Sequence, residues 1–410
     1  MRDSTQSTDV DQGYQRSNVM MNVLSNALRL QAIGLVSLSI MIGSTSDEAR
    51  AIAQSVIMSE AAGRSFVYTI TNPNGPNAVA AYERNTETGE LIFLGAYPTS
   101  GRGSGELIDS QSPLVVNAAG TLLFAVNPGS NDISVMAIND DGSLELRDEP
   151  VPSRGVEPAS LALRDGLLYV ANKGDAIDPP NYAGFLVDSE GTLTRIKRRI
   201  SLAFGDNPTQ VVFARDGGTL LGIRFGSRGI DSYAVKPNGK LRLRRQLNDQ
   251  RGPFAGVVNP VASEQLIVAD ARLPGAATFV MSEDRSLTPI TSVSNRPERA
   301  ACWIVAHSDG IRAWVSNTGT NSLSLFTIGT DGSLSLQGTH GTAAYGRTPF
   351  EIALDPANRF LYQLNVGAGN QSIHALRVTD SLQDAGLADI GPTGLPAGSS
   401  PIGLVVATRH

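Results

Sequence analysis

PIGLVVA, residues 401–407, decides the fold, because this short apolar strand has six earlier counterparts and no partners of its own beside it. The counterparts are SPLVVNAAG from Ser112, EPASLALRDG from Glu157, NPTQVVFARDG from Asn207, GPFAGVVNP from Gly252, AACWIVAHSDG from Ala300 and TPFEIALDPAN from Thr348. Pro113, Pro158, Pro208, Pro253, Pro349 and Pro401 stand 45–52 residues apart, or twice that interval where Ala301 and Cys302 fill the slot. A period of this length is the mark of a propeller or a solenoid.

Working outward from each segment, a second apolar run follows and ends in Asn or Asp, as in LLFAVNPGSN, LLYVANKGD, LIVADARLPG, AWVSNTGTN and LYQLNVGAGN. A third, alternating run comes next (DISVMAI, SLSLFTI, SIHALRV). A turn such as DDGSL, SEGTL, PNGKL or TDGSL then leads into a polar fourth run. Asp-Gly and Asn-Gly supply the positive φ that tight hairpins need. Four short antiparallel strands per repeat make a β-propeller blade. Residues 66–97 hold only a second, third and fourth strand, so PIGLVVA supplies the missing inner strand and closes a ring of seven. An eight-bladed ring with broken ends would leave strand edges exposed. The sequence therefore predicts an all-β, seven-bladed propeller of four-stranded antiparallel blades over residues 65–410.

Composition fits one large β domain, with 42 Gly and 6% aromatic residues. The net charge of −6 argues against a general nucleic-acid binder. A single cysteine excludes a disulfide framework and multi-cysteine metal motifs, and neither metal nor cofactor is expected. Residues 1–64 differ from the rest. A polar stretch precedes QAIGLVSLSIMIG (31–43), an apolar run too short to span a bilayer. Arg29 lies before it and Ala49-Arg50-Ala51 after it, the layout of a secretory signal peptide over about residues 20–51. The expected product is secreted or periplasmic, monomeric and without a stable membrane anchor. A cytoplasmic location with a short amphipathic helix is the alternative.

The repeats LLFAVNPGSNDISVMAINDDGSL, LLYVANKG, AWVSNTGTNSLSLFTIGTDGSL and FLYQLNVGAGNQSI resemble the lactonase-type seven-bladed propeller family. That family includes propeller-type 6-phosphogluconolactonase and the 3-carboxymuconate-lactonising enzyme. The resemblance spans about residues 66–407. It implies hydrolysis of an anionic sugar or organic-acid lactone, with a His and an Arg at the starts of inner strands. No His occupies those slots here: they hold Leu114 and Val115, Ala159 and Ser160, Thr209 and Gln210, Phe254 and Ala255, Phe350 and Glu351. The alternative is a non-catalytic secreted propeller that binds a small ligand or protein on its open face.

In such a ring the loops around each inner-strand proline rim the channel mouth, where binding sites favour rigid scaffolds. Arg251, Arg299 and Arg347 stand two residues before the slot on consecutive repeats, and Arg154 four before its own. Guanidiniums there would bind carboxylate or phosphate. Phe254, Trp303 and Phe350 follow the slot, with Gln210 in another inner strand. They would flank a flat ligand, or pack neighbouring blades together. Glu351 is the candidate base and Arg299 the carbonyl-polarising group, with neighbouring arginines keeping Glu351 ionised. GRGSGE (101–106) reads as a flexible cover and KGDAIDPPNY (173–182) as a second wall of the mouth. RIKRR (195–199) and KLRLRR (240–245) form a basic outer surface, fitted either to an acidic polymer or to guarding sheet edges.

Overall fold

A computed structural model describes residues 64–342, 348–367 and 371–409. The candidate signal peptide and Arg347 lie outside these residues. The described chain forms seven antiparallel sheets, each built from strands in sequence order from inner to outer edge. Blade one is the exception. Its inner strand is Ile402–Arg409, paired antiparallel with Arg64–Ile70 in the register Phe66↔Ala407 and Tyr68↔Val405. The C-terminal strand thus closes the ring.

The other inner strands are Leu114–Val116, Pro158–Arg164, Pro208–Phe213, Pro253–Val258, Ala301–Ala306 and Thr348–Leu354 in blades two to seven. Each contacts the inner strands of the blades before and after it, and the chain of contacts returns to its start. Second strands are covered on both faces by neighbouring blades. LLFAVN (Leu122–Asn127) is therefore buried at every position and reads as an unbroken apolar run. Outer strands such as Leu287–Ser294 bury only an occasional residue and read as polar.

Turn glycines join the blades as well as bending the chain. Tyr68 of blade one donates its hydroxyl to the carbonyl of Gly142 in blade two at 3.1 Å, and Tyr362 of blade seven donates to Gly89 of blade one at 2.9 Å. Both glycines have positive φ, +84° and +82°. A Cβ on Gly142 would stand 2.2 Å from the Phe66 ring, and one on Gly89 2.4 Å from the Phe360 ring. These two turn glycines, in Thr88-Gly89 and Asp141-Gly142, are thus fixed by conformation and by interblade packing together.

The polar residue ending each second strand is a buried clasp. Asn127 accepts from Asn77 and Thr99 of blade one, at 2.9 and 2.7 Å, and donates to Asp132 and Ser134. Asn317 accepts from Asn295 of blade five and donates to Ser322 and Ser324. Blades four and five use charges instead. Arg224 pairs with Asp206 and Asp231, each at 2.8 Å, and Asp270 faces Arg251 at 3.4 Å. These buried polar contacts between blades fix one alignment of neighbouring blades, although Arg224 Nε and Asp270 Oδ1 stay without a hydrogen-bond partner.

Candidate functional site

Each blade from three to six enters its inner strand through one backbone device. The residue before the proline slot is left-handed: Glu157 (φ +55°), Asn207 (+43°), Gly252 (+77°) and Ala300 (+53°). Its carbonyl accepts the amide of the first residue after the second strand, namely Lys173, Phe225, Ala271 and Thr318, at 2.9–3.1 Å. The carbonyl one residue earlier accepts the next amide, as Gly174 to Val156 and Gly319 to Arg299. This repeated frame places two side-chain positions per blade side by side at the mouth. In blade two Ser112 holds the same slot at φ +63°.

The segment before Ser112 runs across the channel. Ser110 Oγ donates to the Ala159 carbonyl of blade three at 2.7 Å, and the Gln111 amide donates to Thr209 of blade four at 3.0 Å. The Gln111 side chain pairs with both backbone groups of Ile304 in blade six, donating to its carbonyl at 3.1 Å and accepting its amide at 3.0 Å. Trp303 Nε1 donates to Ser110 O at 2.7 Å, and the Ser112 amide donates to Glu351 of blade seven at 2.7 Å. Residues 108–112 therefore form a plug tied to four inner strands. The expected flexible cover over 101–106 is corrected: Gly101–Gly103 end a strand, and Asn72 holds Ser104 and Glu106 through hydrogen bonds of 2.9 and 2.8 Å.

The plug changes what the expected site residues can do. Glu351 is only 4% exposed, its Oε1 taken by Ser112. Burial raises its pKa to about 8, against the opposing pull of the Ser112 and Leu404 amides. Among the described residues no arginine contributes to this shift, and Arg347, the slot arginine nearest in sequence, lies outside them. Phe254, Trp303 and Phe350 are buried too. Their rings form a continuous stack with Phe225, at centroid distances of 6.0, 5.0 and 4.4 Å in chain order. They wall blades five to seven together rather than face a ligand. Gln210 bridges inner strands, donating to Gly256 O at 3.1 Å and accepting the Gly256 amide at 2.6 Å.

The arginines part company. Arg251 is taken by acids, with Nε and Nη2 on Asp249 at 2.9 and 2.6 Å, beside Asp270. Because Asp249 takes the guanidinium on two edges, Asp270 is left with the weaker contact, and burial pushes its carboxyl up to about 8. Arg154 is held by the carbonyls of Ile196 and Lys197 at the outer edge of blade three. Arg299 is exposed, its Nη2 on the Gly319 carbonyl at 3.2 Å, and it makes no ion pair among the described residues. His340 lies in the outer strand Leu334–Gly341, and burial lowers its pKa.

A group the sequence reading did not bring together stands over the plug on the side of blades three and four. Lys173 donates from Nζ to Asn207 Oδ1 at 2.7 Å, across the two blades. Burial lowers its pKa, and the charges of Glu157 and Asp109 oppose that. Burial raises both carboxyls: Glu157 against the pull of Lys173 and with a push from Glu106, and Asp109 against Lys173. Asp109 is carried by the plug, and its charge also reaches Cys302 of blade six. Cys302 itself is buried, its thiol pushed up to about 12, and serves as packing. The one sequence signal for this group was the shared slot of Glu157 and Asn207. The position of Lys173 opposite them follows from the backbone frame alone. A desolvated amine facing two carboxyls whose pKa values are displaced the other way is suited to binding an anion and moving a proton.

The family model described as "Lactonase, 7-bladed beta-propeller" matches residues 263–383. The 6-phosphogluconolactonase of Bacillus subtilis strain 168 is 24% identical over 312 residues, covering 74% of this chain and 75% of that protein. Among solved structures, the periplasmic gluconolactonase of Pseudomonas aeruginosa superposes with a TM-score of 0.69 at 17% identity, over 85% of this chain and 99% of that one. A Bacteroides fragilis protein provisionally assigned as a 6-phosphogluconolactonase gives 0.70 at 19% identity, over 84% and 98%.

Proposed function

From its resemblance to the lactonase-type seven-bladed propeller family, we propose that the chain is a secreted or periplasmic hydrolase acting on an anionic sugar or organic-acid lactone. The reaction site is the mouth above the plug. The observation that carries this reading is the Lys173 amine, drawn out of water between Glu157, Asp109 and Asn207. Lys173 draws electron density from the lactone carbonyl and stabilises the oxyanion. Glu157, its pKa raised by burial, takes a proton from water as the water oxygen bonds to the carbonyl carbon. The tetrahedral intermediate then expels the ring oxygen, which takes the proton back from Glu157, and a hydroxy acid results. Arg299, exposed on the rim, attracts the substrate's remote carboxylate or phosphate.

A panel of sugar and aromatic-acid lactones tests this, with Lys173→Met and Glu157→Gln as variants. The expected result is loss of kcat by roughly 100-fold in each. Undiminished turnover in both variants would place the chemistry elsewhere. No turnover of any lactone, with saturable calorimetric binding of the hydroxy acids, would support the ligand-binding alternative, which the missing inner-strand His favours.

A further inference from the structure

The outer edges of blades three and four carry a second feature that the mouth does not use. Residues 193–203 and 235–248 contain no acidic side chain. Arg195, Lys197, Arg198, Arg199, Lys236, Lys240 and Arg242 are all exposed, and among the described residues none of them makes an ion pair. The whole chain is acidic, so the cations are concentrated on one face. Like charges are even pressed together there. Arg199 donates to the Arg154 carbonyl at 2.7 Å while Arg154 donates to the carbonyls of Ile196 and Lys197. Burial, then Arg199 and Arg195, lower the pKa of Arg154.

Between the two blades this surface is concave. A groove of about 510 Å³ is lined by Arg198, Lys236 and Arg242 at its rim, with Ser201 and Gln246, and it reaches Arg224 at the blade clasp, where its one acidic lining residue, Asp206, is neutralised by Arg224. Arg224 is 6% exposed, and its buried Nε donates to no protein atom although its terminal nitrogens are paired. An edge guard against aggregation requires charges but no cleft and no unspent buried donor. Phe204, 62% exposed, follows the groove residues Leu202 and Ala203 and offers a face for a sugar ring.

We propose that this groove binds an acidic glycan, a carboxylate- or sulfate-bearing oligosaccharide. Two or three acidic units would contact Arg198, Lys236 and Arg242, and the chain would continue over Arg195, Lys197 and Lys240. A discrete cleft with one flanking aromatic suits a chain of rings better than a flat bilayer. Binding would hold the enzyme on a polymeric matrix and leave the mouth open.

The test uses the full chain with oligogalacturonate and heparin-derived oligosaccharides as probes in calorimetry at several salt concentrations. Wild type should bind at least one of them, more weakly as salt rises. The triple variant Arg198→Glu, Lys236→Glu, Arg242→Glu should bind roughly 30-fold less tightly or not at all. Its melting curve should match wild type, since all three side chains are exposed. Lys173→Met should bind the glycan as wild type does, which separates this site from the lactone site. Absence of binding to both probes, or equal binding by the triple variant, overturns the proposal. Tighter binding to duplex DNA or to phosphatidylserine vesicles than to either glycan overturns the glycan assignment.

Discussion

Two sides of one channel mouth share a backbone frame and differ in what they do with it. On blades five and six the frame carries Arg251, Arg299 and the aromatic wall of Phe254 and Trp303. On blades three and four it carries Glu157, Asn207 and Lys173. Arg251 finds its counter-charges in Asp249, at the end of blade four's outer strand, and in Asp270 of blade five, and the rings find one another. Among the described residues Lys173 hydrogen-bonds only Asn207 Oδ1, and its carboxylate neighbours feel its charge while remaining short of an ion pair. The same frame thus serves cohesion where acids or rings come within contact of its side chains, and leaves Lys173 with a neutral partner where they do not.

The comparison breaks first if the aromatic side is not structural. Trp303→Ala removes a buried ring stacked on two others and the donor to Ser110 O, and should cost about 3–5 kcal/mol in urea unfolding. Lys173→Met, by contrast, exchanges a desolvated amine with one hydrogen bond for an apolar side chain, and should change stability by no more than about 1 kcal/mol while lowering kcat for a lactone roughly 100-fold. A Trp303→Ala protein as stable as wild type would mean that the wall is not packed as described. Gln111→Ala probes the plug between the two sides. It orphans the Ile304 amide and carbonyl, at about 1–3 kcal/mol for each buried group. If stability is unchanged, the plug is loose and the mouth is deeper than the geometry shows.

Acidity sharpens the comparison further. Folding raises Glu351 from an ordinary value of 4.5 to about 8, so between those values the folded protein holds a proton that the unfolded chain has released. This contribution is fully present below about pH 4.5 and is lost as pH rises through 8, with a slope of up to about 1.4 kcal/mol per pH unit. Asp270 adds a slope of the same sign. Urea midpoints between pH 5 and pH 8 should therefore fall in wild type and fall less in Glu351→Gln. An identical slope in the two proteins would mean that Glu351 is ionised under the plug.

Almost all of the architecture was legible because each blade repeats its pattern. The prolines of six slots, the tight turns before the fourth strands and the spare PIGLVVA strand each follow from local conformational demands. The site was less legible because it is made of departures from the repeat. The slot arginines looked equivalent, yet Asp249 and Asp270 claim one and backbone carbonyls claim Arg154. Position in a repeat predicts where a side chain begins, whereas its fate depends on which acids come within its reach. Residues 108–112 gave no periodic signal, since a segment crossing the channel belongs to no strand pattern. Without it, Glu351 and the aromatics seemed open to solvent. Lys173 ends a run shared by every blade, and only the hydrogen bond from its amide to Glu157 O sets it across from the carboxylates.

The smallest expected effect concerns Arg299, the slot arginine that stays exposed without a carboxylate partner. In water a single exposed pair is worth about 0.2–1 kcal/mol, so Arg299→Ala should raise KM for an anionic lactone by only a few-fold and leave kcat unchanged. The rise should vanish for an uncharged lactone and shrink at high salt, where exposed charges are screened. Stability should not change, because Nη2 meets only the Gly319 carbonyl at the rim. A loss of kcat comparable to that of Lys173→Met would move the reacting carbonyl to the blade-six side of the mouth. The division of labour between the two sides would then reverse, with Lys173 serving the substrate's anion and Arg299 its oxyanion.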